Sequence, residues 1–326
     1  MYNYHYAGGV LMYVLGFDIG GTKCAVVTAL WNGKTINISK KKSIPTDHGI
    51  SAYQMLDRLF ELADSLLDKT PDKIGISCGG PLDSTRGIIM SPPNLPGWDH
   101  IEIVRYTENH YNVPTKLQND ANACALAEWK FGAGLGCENM IFLTFGTGLG
   151  AGLILNGKLY EGTNGNAGEV GHIRLEKDGP IGYCKRGSFE GFCSGGGIAQ
   201  LGYVMALERI RNGTYPLYFK KGMSENDINA KTIADAAAKG DPTALEVYCI
   251  SGEYLGKGLS LLIDILNPEK IVIGSIFARN QSLFLDAMTS VIEKEALSAS
   301  ASCCKIVPAG LGEEIGDYAA VATALL

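Results

Sequence analysis

Asp18-Ile19-Gly20-Gly21-Thr22-Lys23 follows directly on the apolar run Tyr13-Val14-Leu15-Gly16-Phe17. Further along, Leu143-Thr144-Phe145-Gly146-Thr147-Gly148-Leu149-Gly150-Ala151-Gly152 continues the run Met140-Ile141-Phe142. Each is a strand that runs into a turn of glycines and threonines. Glycine leaves backbone N–H groups unobstructed, so such a turn can line a concave, anion-binding surface to which threonine hydroxyls add donors. One turn of this kind is weakly specific. Two of them predict a polyphosphate gripped from two sides.

Working outward, the segments 25–30 and 35–41 flank Asn32-Gly33, a strong hairpin signal, so the chain is predicted to open with antiparallel strands. A helix is predicted over 50–67, with Ser51 near its start and Leu56, Leu59, Phe60 and Ala63 on one face. Strands follow at 73–77, ending in Gly79-Gly80-Pro81, and at 113–117, then an alanine-rich helix at 121–129. The proline-rich stretch 91–98 reads as an ordered loop. The pattern then restarts: strand, glycine turn, strand 153–155, Asn156-Gly157. This recurrence predicts two related halves, each with one phosphate turn. Beyond Gly197 the chain turns helical, with an amphipathic helix at 198–211. Another is opened by a cap at Thr232-Ile233-Ala234-Asp235 and closed by Gly240. A long helix runs from Asp241-Pro242 to Leu266, stopped by Asn267-Pro268. A buried strand is expected at 270–274 and a terminal helix at 314–326. The expected domains are 1–118 with 315–326, and 119–314.

The 326 residues suffice for two domains, and 46% hydrophobic with 19% charged residues is the balance of a soluble globular protein. The net charge of −6 argues against a nucleic-acid surface. Lys40-Lys41-Lys42 reads as a solvated strand end rather than a binding patch. Nine cysteines without a repeating interval, in no secretory context, read as reduced thiols of a cytoplasmic protein. The apolar stretch 7–17 lacks the flanks of a signal peptide and is too short to span a bilayer, so no membrane role is expected. Met12 is a second candidate start, which would make the residues from Met1 to Leu11 an extension of little consequence.

An acid at a strand end beside a phosphate turn, as Asp18 is, can hold Mg²⁺ directly or through water, or can simply tighten the turn. Lys23 would offset phosphate charge or pair on the surface. Asn119-Asp120-Ala121-Asn122 opens the alanine-rich helix, where Asn and Asp are ordinary N-caps. With a polyphosphate implied, the preferred reading makes Asp120 a general base for an attacking hydroxyl that Asn119 orients. In Gly165-Asn166-Ala167-Gly168-Glu169-Val170-Gly171-His172, the carboxylate and imidazole could bind adjacent hydroxyls of a polyol, or be solvated loop residues. Glu190 has the same two readings.

Together, the segments 18–23, 92–98, 119–122, 143–152, 168–173 and 187–195 resemble the ROK family of sugar kinases and sugar-responsive repressors, from about Val14 to the C-terminus. The resemblance implies an α/β, ribonuclease-H-like (actin/hexokinase-type) fold of two domains around a cleft, and transfer of a phosphoryl group from MgATP to a hexose hydroxyl, glucose 6-OH by default. It implies that Asp18, Gly20, Gly21, Thr22 and Lys23 serve ATP phosphate and Mg²⁺, and that Thr144, Gly146, Thr147 and Gly148 form the second phosphate turn. Asp120 would be the base; Gly80, Asn94, Asn119, Asp120, Glu169, His172 and Glu190 would line the sugar pocket. A homodimer is expected by likeness alone. Repressors of the family place a helix-turn-helix ahead of the first turn. Here 17 residues precede Asp18, so a regulator is not favoured, and the intact Asp18, Asp120 and both glycine turns speak against a non-catalytic sugar-binding protein.

One departure from the family concerns its structural zinc, held by Cys-x-Cys-Gly-x-x-Gly-Cys-x-Glu and a histidine. The aligned stretch here is Ile181-Gly182-Tyr183-Cys184-Lys185-Arg186-Gly187-Ser188-Phe189-Glu190, with Cys184 one residue out of register. His172 with Cys184 and Cys193 leaves a tetrahedral set short, so no zinc is expected. The loop is expected to be held by burial of Tyr183, Phe189 and Phe192, with His172 left to touch sugar.

Overall fold

The hairpin expected around Asn32-Gly33 is formed by β2 (Lys23–Trp31) and β3 (Ile36–Pro45), and β2 also pairs antiparallel with β1 (Met12–Ile19). The computed structural model describes residues 11–326, so all but the last residue of the possible N-terminal extension lies outside the described residues. The chain divides into two compact units. The first holds the residues up to Leu135 together with Glu161–Gly165 and Glu313–Leu326; the second holds Gly136–Tyr160 and Asn166–Gly312.

In the first unit α1 (Ala52–Asp64) is opened by a capping box between Ser51 and Gln54. β4 (Lys73–Cys78) is followed by a small hairpin, β5 (Leu82–Asp83) with β6 (Ile88–Ile89). Then come α2 (Ile103–Tyr111), β7 (Thr115–Asn119) and α3 (Asp120–Phe131). The sheet order is β3-β2-β1-β4-β7, with β1, β4 and β7 parallel. One face is covered by Met55, Leu56, Leu59 and Phe60 of α1, packed on Leu15, Phe17, Ile74 and Ile76. On the other face Gly16 and Gly75 admit the C-terminal helix Ile315–Ala324. A Cβ on Gly75 would lie 2.1 Å from the Ala320 carbonyl oxygen, so only glycine allows this approach. α3 leaves β7 without a break and packs on the C-terminal helix, so it belongs to the first compact unit.

The lysine cluster on β3 is engaged rather than simply solvated. Lys40 Nζ donates to Asp68, Lys42 Nζ donates to Ser65 Oγ, and Lys41 Nζ lies 2.6 Å from Oδ2 of Asp317, itself 5% exposed.

The second unit repeats the pattern. β8 (Met140–Phe145), β9 (Leu149–Leu155) and β10 (Lys158–Tyr160) are antiparallel neighbours. After a small hairpin of β11 (Ile181–Gly182) and β12 (Lys185–Arg186) come α4 (Phe189–Phe192), α5 (Gly195–Arg211), α6 (Ala230–Ala237) and α7 (Pro242–Leu266). β13 (Lys270–Ile273), α8 (Ser275–Glu295), α9 (Ser298–Cys303) and β14 (Lys305–Pro308) complete it. The order β10-β9-β8-β13-β14 reproduces that of the first sheet, which makes the repeated strand–turn–strand signal a repeat of topology. The core joins Leu143 and Phe145 to Tyr248, Leu255 and Leu259 of α7 and to Phe277 and Phe284 of α8.

Asp241 caps α7 with Pro242 at its start, and Asn267 ends it in the left-handed region. For α6 the cap is Asn229, and Thr232 is the third helical residue of the capping box rather than the opening residue. None of the nine cysteines, all of which lie among the described residues, is in a disulfide. Among the described residues no helix is long and apolar enough to cross a membrane.

Candidate functional site

In the first unit the predicted residues meet at the carboxyl ends of the parallel strands, where open α/β sheets bind ligands. Asp18 stands near the end of β1 and is paired with Ser77, while Cys78 on β4 is paired with Asn119 at the end of β7. The turn after β1 is closed by Gly20 N–H donating to the Lys23 carbonyl at 3.2 Å. Thr22 and Lys23 are exposed. A Cβ on Gly21 would fall 2.4 Å from the Asn94 carbonyl oxygen, which places the proline-rich loop directly on the turn. A Cβ on Gly80 would lie 3.1 Å from Asn119 Nδ2, and one on Gly79 3.9 Å from Asp120 Oδ2. Asp18, Gly20, Gly21, Gly80, Asn94, Asn119 and Asp120 therefore lie along one strand edge.

Asn119 caps α3, its side chain accepting the Ala121 amide at 3.0 Å, so the capping role expected of it is real. Asp120 is exposed at the start of the helix, with Oδ1 accepting the Ala121 amide at 2.8 Å. A residue that the sequence did not single out steadies this junction. Glu161 Oε1 accepts from Gln118 Nε2 at 3.0 Å and Ser84 Oγ at 2.7 Å, while Gln118 Oε1 accepts the Asn119 amide at 2.8 Å. Asp18 is pushed up to about 6, first by burial, then by the charges of Asp120 and Asp317, with Lys23 and Lys41 opposing. Oxygen donors carrying surplus negative charge beside a phosphate-type turn suit Mg²⁺, a hard cation that keeps several waters.

In the second unit Thr144 Oγ1 accepts the Gly150 amide at 2.9 Å and so closes the glycine turn across β8 and β9. Gly146 N–H donates to the Gly148 carbonyl at 3.1 Å, and the Gly146 carbonyl accepts the Gly195 amide at 2.8 Å. Glu190 reaches this turn from α4: its Oε2 accepts the Leu149 amide at 3.0 Å, and a Cβ on Gly148 would lie 2.7 Å from that oxygen. Its Oε1 accepts the Tyr183 amide at 3.1 Å. Glu169 and His172 are exposed on the same side, and the Tyr183 hydroxyl donates to Glu169 Oε2 at 3.3 Å. Glu169, His172, Glu190 and the second glycine turn are thus brought together.

Phe189 and Phe192 are buried as expected, but Tyr183 is 43% exposed. It is not a core residue: it sits at the tip of the β11–β12 hairpin, and its ring lies 3.9 Å from that of His172, tilted by 31°. Gln200 holds the hairpin by accepting the Ile181 amide and donating to its carbonyl, each at 2.9 Å. Cys184 is exposed, whereas the buried Cys193 thiol donates to the Ser251 carbonyl. Among the described residues no three His, Cys, Asp or Glu side chains are placed to hold a metal ion.

Next to the second turn lies a cavity of about 760 Å³, lined by Gly146, Thr147, Gly195, Asn229, Lys231 and Arg279 among others. That is the size of a cofactor or nucleotide site. Its lining was not read from the sequence, because α6 and α8 arrive from distant segments; the triplet Gly195-Gly196-Gly197 is a local signal that could have pointed to it.

The glucokinase of Halalkalibacterium halodurans is 32% identical over 310 residues, covering 93% of this chain and 92% of that protein. The DNA-binding transcriptional dual regulator NagC of Escherichia coli is 32% identical over 281 residues, covering 84% of this chain and 66% of the regulator. The structure of a ROK family glucokinase from Streptomyces griseus in complex with glucose and AMPPNP is similar with a TM-score of 0.77 at 28% identity, covering 96% of this chain and 99% of that one. The two-unit α/β architecture is accordingly the expected actin/hexokinase-like fold. The ROK family model matches residues 14–325, and the chain belongs to the ROK family.

Proposed function

We propose that the protein is an ATP-dependent sugar kinase that phosphorylates a hexose hydroxyl, the 6-OH, with glucose as the default substrate. The observation that carries this reading is the placement of Asp120 beside Asp18 and the Gly20–Gly21 turn on one strand edge. The glucokinase named above and the glucose- and AMPPNP-bound structure support it.

In this reading Asp120 accepts the proton of the sugar hydroxyl as its oxygen bonds to the γ-phosphorus. The bond from that phosphorus to the β,γ-bridging oxygen breaks, and ADP leaves with the electron pair. Asn94, Asn119, Glu169, His172 and Glu190 hold and orient sugar hydroxyls, and Gly80 leaves room for them. The amides of both glycine turns, with Lys23, bind phosphate oxygens, and the cavity beside Gly195 takes the nucleoside. Asp18 would hold Mg²⁺, which supplies charge neutralisation on the phosphates when bound.

The similarity to NagC, of which the chain spans 66%, favours a second reading, a sugar-responsive regulator. A coupled ADP-release assay over a panel of hexoses separates the two. Sugar-dependent release that is lost in Asp120→Ala supports the kinase; no release with any hexose overturns it.

A further inference from the structure

The β11–β12 hairpin turns through Tyr183 and Cys184, whose φ angles of 50° and 56° both lie in the left-handed region. A two-residue turn of this hand favours Asn-Gly, because a Cβ at positive φ is strained. Such strain persists only where the surroundings fix it, and it collects at functional sites. Here the surroundings are specific. The Tyr183 amide donates to Glu190 Oε1 at 3.1 Å and its hydroxyl donates to Glu169 Oε2 at 3.3 Å. Its ring faces His172 with centroids 3.9 Å apart and planes at 31°.

Two glycines keep this approach open. A Cβ on Gly171 would lie 3.0 Å from Tyr183 Cε2, and one on Gly182 would lie 2.8 Å from the Glu190 Cβ. Burial does not explain the tyrosine, since it is 43% exposed and fills no cavity. What it does is touch three side chains at once.

We propose that Tyr183 is a positioning residue for the sugar, fixing Glu169, His172 and Glu190 relative to one another through its hydroxyl, ring and amide. The proposal rests on the reading of those three residues as sugar ligands. The amide contact survives any substitution except proline, so the side chain can be tested separately. Glycine accepts this backbone without strain, so Tyr183→Gly keeps the turn while deleting ring and hydroxyl. Tyr183→Phe keeps the ring alone.

The test combines steady-state kinetics with glucose and ATP, thermal melting, and NMR of the His172 ring protons, assigned by their loss in His172→Gln. Tyr183→Gly is expected to raise the glucose KM by roughly tenfold, leave the ATP KM within about twofold and melt no lower than the parent. The His172 signals should be displaced by the tyrosine ring in the parent, lose that displacement in the glycine variant and keep it in Tyr183→Phe. Tyr183→Phe should recover the glucose KM to within about threefold of the parent. A glucose KM in Tyr183→Gly within about twofold of the parent overturns the proposal, whatever the NMR gives. If the parent turns over no hexose, the kinase reading falls separately. The NMR then decides: unmoved His172 signals in Tyr183→Gly overturn the positioning role, and displaced ones support it.

Discussion

Glu190 Oε2 accepts the backbone amide of Leu149 at 3.0 Å, tying a predicted sugar ligand to the exit of the second glycine turn. The same carboxylate accepts the Tyr183 amide through its other oxygen, so both oxygens are committed. Glu190→Gln turns one acceptor into a donor facing an N–H group. The expected cost is about 1–3 kcal/mol of stability, the size for leaving a polar group without its partner, read by denaturant unfolding. ADP release with glucose should fall by about tenfold or more. A variant with the parent's stability and rate would show that the contact is incidental.

Asp18 supplies a pH prediction. Folded, it holds its proton up to about pH 6, against the ordinary aspartate value of 3.8 in the unfolded chain. Between those values the folded state binds more protons, so this group's stabilisation is fully present below the lower value and is lost as pH rises through about 6. Asp18→Asn in EDTA without nucleotide should therefore melt about 3 °C above the parent at pH 7.5, as expected for about 1 kcal/mol. That advantage should shrink at pH 5 while phosphoryl transfer is lost. Equal melting of the two proteins at pH 7.5 would contradict this account of the carboxyl.

What was legible depended on where the stop and start signals sit. The hairpin at Asn32-Gly33, Ser51 near the start of α1 and the Asp241-Pro242 start of α7 are local signals, and each works as read. The helices α2, α8 and α9, none of which has a side-chain cap, went unread. α8 also opens on Ser275 in the left-handed region and is interrupted at Asn280. The strand-edge residues of the first unit were readable because glycines and acids cluster in sequence. Glu161 was not, and Tyr183 was read only as a buried anchor of its loop, since each acts through contacts made only after folding.

Asn229 tests the cavity beside the second turn. As cap of α6 it accepts the Thr232 amide at 3.0 Å, and it also lines the cavity. Asn229→Ala is expected to cost about 1 kcal/mol of stability. It should raise the ATP KM while leaving the glucose KM unchanged. A rise in the glucose KM instead would place the nucleoside elsewhere.

Gly75→Ala probes the seat of the C-terminal helix. The added methyl meets backbone, the Ala320 carbonyl at 2.1 Å and the Ala324 amide at 2.5 Å, which cannot rotate away. Overpacking of this kind costs about 1–3 kcal/mol, and denaturant titration would read it. Unchanged stability would mean that the helix can lift without penalty.

The return of that helix to the first sheet also sets an order of events during synthesis. A ribosome must translate the whole second unit before it supplies Ala319, Ala320 and Val321, so the face of β1 and β4 around Gly16 and Gly75 stays uncovered in the nascent chain. The half translated first is in this way the half completed last, and the Asp317 partner of Lys41 reaches it only then.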